Sequence, residues 1–254
     1  MFSKIIKSYY IPILFFFGLM FVWQLSVSLF HIKEYILPAP TTIVRAFFSD
    51  WRSLLKHTGI TALESFTGFL LANVVGLVLA SLLSNSESLK KAIMPYAIAL
   101  KTTPIVAFAP ILVIWFGSGI TTKIFASALV CFFPILVNTL KGLTSVEQDY
   151  LNLFASFNTS KWKTFWNLKF PTAMPYIFSA LKISTSLSVI GAIVGEFVGA
   201  NQGLGYVILV SSYHLEIATI FAAIILSSLI GIIFFNLISY TEKKIIYWQN
   251  TMDI

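Results

Sequence analysis

Lys101, Lys182 and Glu196 each stand inside an apolar run of this chain. A charge carried by a membrane-spanning segment is costly and normally faces protein, a cavity or the interface, so each is a candidate for contact with a permeating solute. With Thr102 and Thr103 beside it, Lys101 could face a polar cavity and meet an anion; the alternative is a lysine at a helix break that reaches carbonyls or headgroups. Lys182 is equally placed to snorkel towards the nearer interface. Glu196 opens the turn EFVGANQG, a position suited to the mouth of a pathway or to a gate. Lys182 and Glu196 are 14 residues apart. That spacing is about 21 Å of helical rise and nearly four whole turns, which puts them near one side of a helix at opposite ends.

Nothing else in the chain has the spacing of an enzyme site. GSGITTK (117–123) has the wrong spacing for a phosphate-binding GxxxxGK[ST] loop, and the glycines of GANQGLGY (199–206) lack the lysine. His31, His57 and His214 are far apart, and Cys131 has no companion for a disulfide or a zinc site. No catalytic residue and no metal ligand is expected.

The elements that must position these charges are membrane helices. Of the 254 residues 57% are hydrophobic and 11% charged, against about a quarter charged in soluble domains, and the mean hydropathy is +0.87. About 20 apolar residues cross the hydrocarbon, which predicts six crossings near 10–30, 58–83, 92–116, 122–140, 175–197 and 217–240. The third is interrupted by Lys101, Pro104 and Pro110 and reads as a helix, a bend and a shorter helix. The stretch 38–57 reads as an interfacial amphipathic helix after a Pro-rich entry. Residues 1–57 therefore form a first helix with an interfacial segment, 58–248 a core of five spans, and 249–254 a tail. The net charge of +7 comes from short basic runs beside the spans. That distribution argues for membrane topology and lipid contact and against nucleic acid. With the amino terminus inside, ten Lys or Arg residues fall in inner segments and five in outer ones, which puts both termini in the cytoplasm.

Between the fourth and fifth predicted spans lies LFASFNTSKWKTFWNLKFP (153–171), too polar to cross a bilayer. Its apolar residues recur at helical spacing, Leu151, Phe154 and Phe157, then Trp162, Phe165 and Trp166. Asn158 can take the left-handed conformation that ends one helix, and Thr159 or Ser160 can cap the next. The expected element is a helix, a sharp turn and a second helix ending at Pro171, its aromatic face buried against the spans, lipid headgroups or another protein. In the following span Gly191, Gly195 and Gly199 repeat every four residues, and Ala180, Ser184, Ser188 and Ala192 make a second small-residue ladder. Both permit close helix packing.

From about 36 to 248 the chain resembles the permease subunits of binding-protein-dependent ABC importers, in the branch that handles taurine, alkanesulfonates, nitrate or thiamine-precursor pyrimidines. The resemblance rests on ILPAP (36–40), TPIVAFAPILVIWFGSG (103–119), FFPILVNTLKGL (132–143) and FPTAMPYIFSALKISTSLSVIGAIVGEFVGANQGLGY (170–206). It implies an all-α type I importer permease fold of about six spans, and a loop (141–170) that docks as a coupling helix on a cytoplasmic ATPase. The residues carried over to that docking are Asn152, Leu153, Phe154, Ala155, Phe157, Asn158, Trp162, Phe165 and Pro171. The family's Glu falls on Asn152 and its Gly on Asn158. Asn preserves a left-handed turn at modest cost, whereas the lost carboxylate leaves apolar burial as the main grip. Glu64 stands where the family more often has a basic residue.

The resemblance further implies a prokaryotic inner-membrane, multi-pass protein working as one of two copies, with an extracytoplasmic binding protein and two ATPase chains that bind ATP and Mg. The permease itself would carry no cofactor. A rival assignment, a secondary transporter of a small anion driven by an ion gradient, requires paired broken helices and internal repeats. No half-to-half repetition is visible. An intramembrane enzyme would require clustered ligands or an activated nucleophile, which are also missing.

Overall fold

The computed structural model describes the backbone of residues 2–247 and the side chains of 10–247; the tail at 249–254 and the side chains of Lys4 and Lys7 lie outside the described residues. The chain is α-helical in the order α1 (Phe2–Leu29), α2 (Pro40–Ser49), α3 (Trp51–Leu83), α4 (Glu87–Thr102), α5 (Ile105–Phe116), α6 (Ile120–Leu143), α7 (Gln148–Ser156), α8 (Lys161–Thr164), a π-helical turn (Phe165–Lys169), α9 (Phe170–Phe197), α10 (Leu204–Tyr213) and α11 (Ile217–Ile245). No strand occurs among the described residues. Five helices are long and apolar enough to cross a membrane, and α4 with α5 forms a pair bent by 101°. Thr103 is extended at the bend and Pro104 follows it. Proline disfavours the helical conformation in the residue before it, so the helix must stop there. Pro110, by contrast, is carried inside α5.

The bent pair is a crossing rather than a hairpin dipping into one face. Gly68 of α3 faces Ser127 of α6 and Gly76 faces Ile135, so the two helices run in the same direction. A chain that leaves one helix and enters a parallel neighbour must return across the layer in between. Six crossings result, and the bundle acquires two distinguishable ends. Leu83, Ala97, Leu143 and Ala173 cluster at one end, whereas Ile43, Leu54, Leu204 and Ala222 cluster at the other. The start of α1, the segment 144–164 and the close of α11 all belong to the first end.

Two expected boundaries move. α3 starts at Trp51, so the division expected at 57/58 falls within a continuous helix, and the interfacial helix is only Pro40–Ser49. With 33 residues, α3 is about 50 Å long, more than the ~30 Å hydrocarbon requires. Its polar first turns extend beyond the apolar layer. The second helix of the loop likewise does not end at Pro171. It passes through the π turn and continues as α9 to Phe197, because the widened turn shifts the hydrogen-bond ladder just before the proline.

The centre of the bundle is the antiparallel pair α6 and α9. Ala180, Ser184, Ser188 and Ala192 are fully buried. A Cβ at Gly191 would come within 2.6 Å of the Ser127 Cα, and one at Gly195 within 3.1 Å of the Lys123 Cα. Gly199 departs from this series. It lies past the end of α9 at φ 75°, where it turns the backbone rather than packs a helix.

Backbone sits against backbone at Gly191, so Gly191→Val has no side chain to displace and must part the helices, a loss of about 3 kcal/mol. Thermal unfolding in detergent should show a strongly lowered midpoint. Gly59→Ala, at an exposed helical site with nothing within 4 Å, should leave it unchanged or slightly raised.

Candidate functional site

The loop after α6 forms a knuckle projecting from the first end of the bundle. α7 closes with a Schellman arrangement: Asn158 is left-handed at φ 50°, its N–H donates to the Ala155 carbonyl at 2.9 Å, and the Thr159 N–H donates to the Phe154 carbonyl at 3.2 Å. The Thr159 hydroxyl donates to that same carbonyl. Ser160 then caps α8, its hydroxyl accepting from the Lys163 N–H at 3.4 Å. Asn thus holds a turn for which glycine is the usual choice. Asn152 is exposed and accepts from the Gln148 amide at 3.0 Å.

The aromatic residues of the knuckle divide into two sets. Phe165 packs on the Leu143, Ala173 and Ile177 cluster and, with Trp166 and Phe170, forms a stack of rings 5.0–6.2 Å apart that roots the knuckle on the bundle. Phe157 is 74% exposed, Trp162 71% and Leu153 50%, with Phe154 half-buried and Ala155 exposed beside them. An exposed apolar cluster of this kind is the sort of surface that contacts a protein or a membrane.

Lys101, Thr102 and Thr103 lie together at the α4–α5 bend, on a groove of about 300 Å³ lined also by Pro104, Phe133 and Leu187. The Lys101 ammonium sits 4.7 Å from the centroid of the Phe133 ring. Both threonine hydroxyls donate to the Ala99 carbonyl, at 2.9 and 3.0 Å, leaving their lone pairs free to accept. Lys182 is in a different environment. Its ammonium meets the Glu242 carboxylate of α11 at 2.9 Å.

Glu196 is fully buried at the opposite end of α9. Its Oε1 accepts from the Thr61 hydroxyl at 2.7 Å and its Oε2 from the Gly205 N–H. Thr61 in turn accepts from the Leu204 N–H at 2.8 Å, and His57 Nδ1 accepts from the Gly203 N–H at 2.9 Å. The first three N–H groups of the Gly203–Gly205 turn are therefore satisfied by α3 and α9 side chains, a helix start capped from outside its own sequence. A Cβ at Gly203 would lie 2.2 Å from the Glu196 carboxyl carbon, and Gly203 has φ 106°. Only glycine fits there. Glu64 lies against Glu196, and the buried Lys123 acts electrostatically on both while donating to the Ser118 carbonyl.

The sequence matches the family model described as "binding-protein-dependent transport system inner membrane component" over residues 72–247. The chain belongs to that family of transport permeases. It is similar to the formylaminopyrimidine transport permease protein ThiX of Halalkalibacterium halodurans, 36% identical over 94% of this chain and 95% of that one. It is also similar to the riboflavin transport system permease protein RibX of Chloroflexus aurantiacus, 30% identical over 91% of this chain and 87% of that one. The fold is shared with a chain of the MetNI methionine ABC transporter in an inward-facing conformation, at a TM-score of 0.66 and 17% identity over 78% of this chain and 96% of that one. The permease is accordingly an all-helical ABC importer subunit with the type I fold, embedded in the membrane by multiple passes.

Glu196 is marked in the sequence by its place in an apolar run, but the residues that hold it are not. Thr61 and His57 are 135 and 146 residues away from their partners, and no local pattern marks them. Glu242 was more accessible to reasoning: it is an acid near the close of the last span, at the same end of the bundle as Lys182, and buried charges at one depth are normally paired. In the permease, Glu196→Ala strands the Thr61 hydroxyl and the Gly205 N–H in a buried site, a cost of about 3 kcal/mol. Glu196→Gln, which keeps one acceptor, should lose less. Unfolding midpoints in detergent should rank them unmodified, Gln, Ala.

Proposed function

We propose that the permease couples ATP hydrolysis on a separate cytoplasmic ATPase to solute movement through its bundle, with the knuckle as the transmitting element. The observation that carries this is the exposed cluster of Leu153 and Phe157 at the close of α7 and Trp162 on α8, the last of these on a helical run that continues through the π turn into the buried helix α9. Asn152, Phe154 and Ala155 complete the contact surface, Asn158 sets its angle, and Phe165 and Pro171 tie it to α9. A push on such a surface cannot be absorbed by a flexible linker, so it turns into movement of the span itself. The excess of basic residues on this side supports a cytoplasmic knuckle and cytoplasmic termini. ATP and Mg belong to the ATPase, and this chain supplies no catalytic group or metal ligand. Two permease copies, two ATPase chains and an extracytoplasmic binding protein complete the importer.

For cargo we propose a small nitrogen heteroaromatic, with a thiamine-precursor pyrimidine first. ThiX and RibX are both named for heteroaromatic cargo, and Lys101 over the Phe133 ring in the bend groove offers a cation and an aromatic face to such a ring. Thr102 and Thr103 supply acceptors. Lys182 and Glu196 lie at the two ends of the span beside this route. Separate uptake assays with labelled pyrimidine, taurine, alkanesulfonate and nitrate test the assignment: uptake of an anion with none of the pyrimidine rejects it.

A carboxylate buried in an apolar docking groove forfeits the roughly 1.5–3 kcal/mol of phenylalanine burial and adds a desolvation cost. Phe157→Asp, and equally Phe154→Asp, should therefore reduce ATP-dependent uptake at least about tenfold with insertion unchanged. Cys131 is the single cysteine and is fully buried, so Lys161→Cys labelled from either side of the membrane reports topology in the same protein. Normal uptake by the Asp variants, or labelling of position 161 from outside, would reject the coupling role.

A further inference from the structure

Resting on that coupling role, we propose that the Lys182–Glu242 ion pair is a positioning strut through which displacement of the knuckle and α9 is passed on to α11. Three observations converge on it. The pair is close, at 2.9 Å, and largely withdrawn from solvent, the Lys182 side chain being 27% and the Glu242 side chain 9% exposed. Opposite charges held this way in a membrane bundle resist separation, because pulling them apart leaves an uncompensated buried charge.

The second observation is what lies around the pair. One turn further along α9, at Ser186, the two helices part around an apolar groove of about 560 Å³ lined by Ser186, Ile190, Ser227, Gly231 and Phe235. Gly231 is so far from α9 that a Cβ there would reach only the Ser186 hydroxyl, at 3.9 Å. The groove continues along α9 to Val189 and Ile193 and takes in Ile208 of α10 and Ile224 of α11, while Val189 also joins the buried cluster with Ala222, Ala223 and Leu226. Between the groove and the knuckle the ion pair holds α9 to α11.

The third is position along the lever. Lys182 stands 12 residues beyond Phe170, where α9 takes over from the π turn, about 18 Å along the axis. A tilt of α9 produced at the knuckle would open or close the groove unless α11 followed. The strut makes α11 follow. Lys182 thus acts through Glu242 on the placement of α11, and needs no contact with cargo to matter for transport.

The test uses the complete importer, permease with its ATPase and binding protein, in proteoliposomes, reading cargo taken up per ATP hydrolysed. Lys182→Met and Glu242→Gln should each lower that ratio about tenfold while the hydrolysis rate stays near that of the unmodified importer. The exchanged pair, Lys182→Glu with Glu242→Lys, should recover the ratio to within about twofold. A ratio unchanged in the single variants overturns the proposal, as does an exchanged pair that fails to recover it. Single variants that do not assemble at all would make the pair a folding element only and would also overturn it. Failure of the underlying coupling role has a separate signature, uptake by the unmodified importer that persists without ATP or in Phe157→Asp.

Discussion

Close contact between α6 and α9 at Gly191 and Gly195 is the constraint on which the other features of the bundle depend. A bilayer offers backbone and charged groups no partners, so polar side chains inside it must find each other in the protein. They can do so only if the helices come near enough. Two glycines in register bring α9 against Ser127 and Lys123, and with α3 on the same side of α6, Thr61 then reaches Glu196. The buried charge at Glu196 and the glycines at 203 and 205 are one arrangement: the carboxylate occupies the volume that side chains there would fill, and in return caps the start of α10.

At the opposite end α9 continues the second half of the knuckle, so Trp162 and the packed core belong to one helical run, Lys161–Phe197. Phe165 and Phe170 pack on the bundle, Trp166 bridges from them to Trp162 through edge-on and tilted ring contacts, and Phe157 and Trp162 remain largely uncovered. Asn158 in the left-handed turn shows how the bend persists without glycine, since its polar side chain tolerates that conformation better than most and the Thr159 hydroxyl adds a bond to the same closing carbonyl.

Much of the architecture could be read from local sequence because the bilayer makes hydrophobic length decisive. The six spans, the break before Pro104 and the turn at Asn158 were legible for that reason and because proline and left-handed residues act within one or two positions of themselves. Helix limits were less legible. The interfacial element expected over 38–57 is divided, because α3 begins at Trp51 and a helix longer than the hydrocarbon can carry polar turns outside it. The helix expected to end at Pro171 continues through a π turn into α9.

The sequence alone determined that this chain is a multi-span helical membrane protein, where its spans lie, and that an aromatic, lysine-bearing knuckle interrupts them. These follow from hydropathy, helical period and turn chemistry, all local properties. Only the tertiary structure decided the partners of the charges: Lys182 with Glu242, Lys101 over Phe133, and Glu196 among Thr61, Glu64 and the Gly203–Gly205 turn. Each joins residues from different helices, and helix period says which face a side chain occupies but not which neighbour that face will meet.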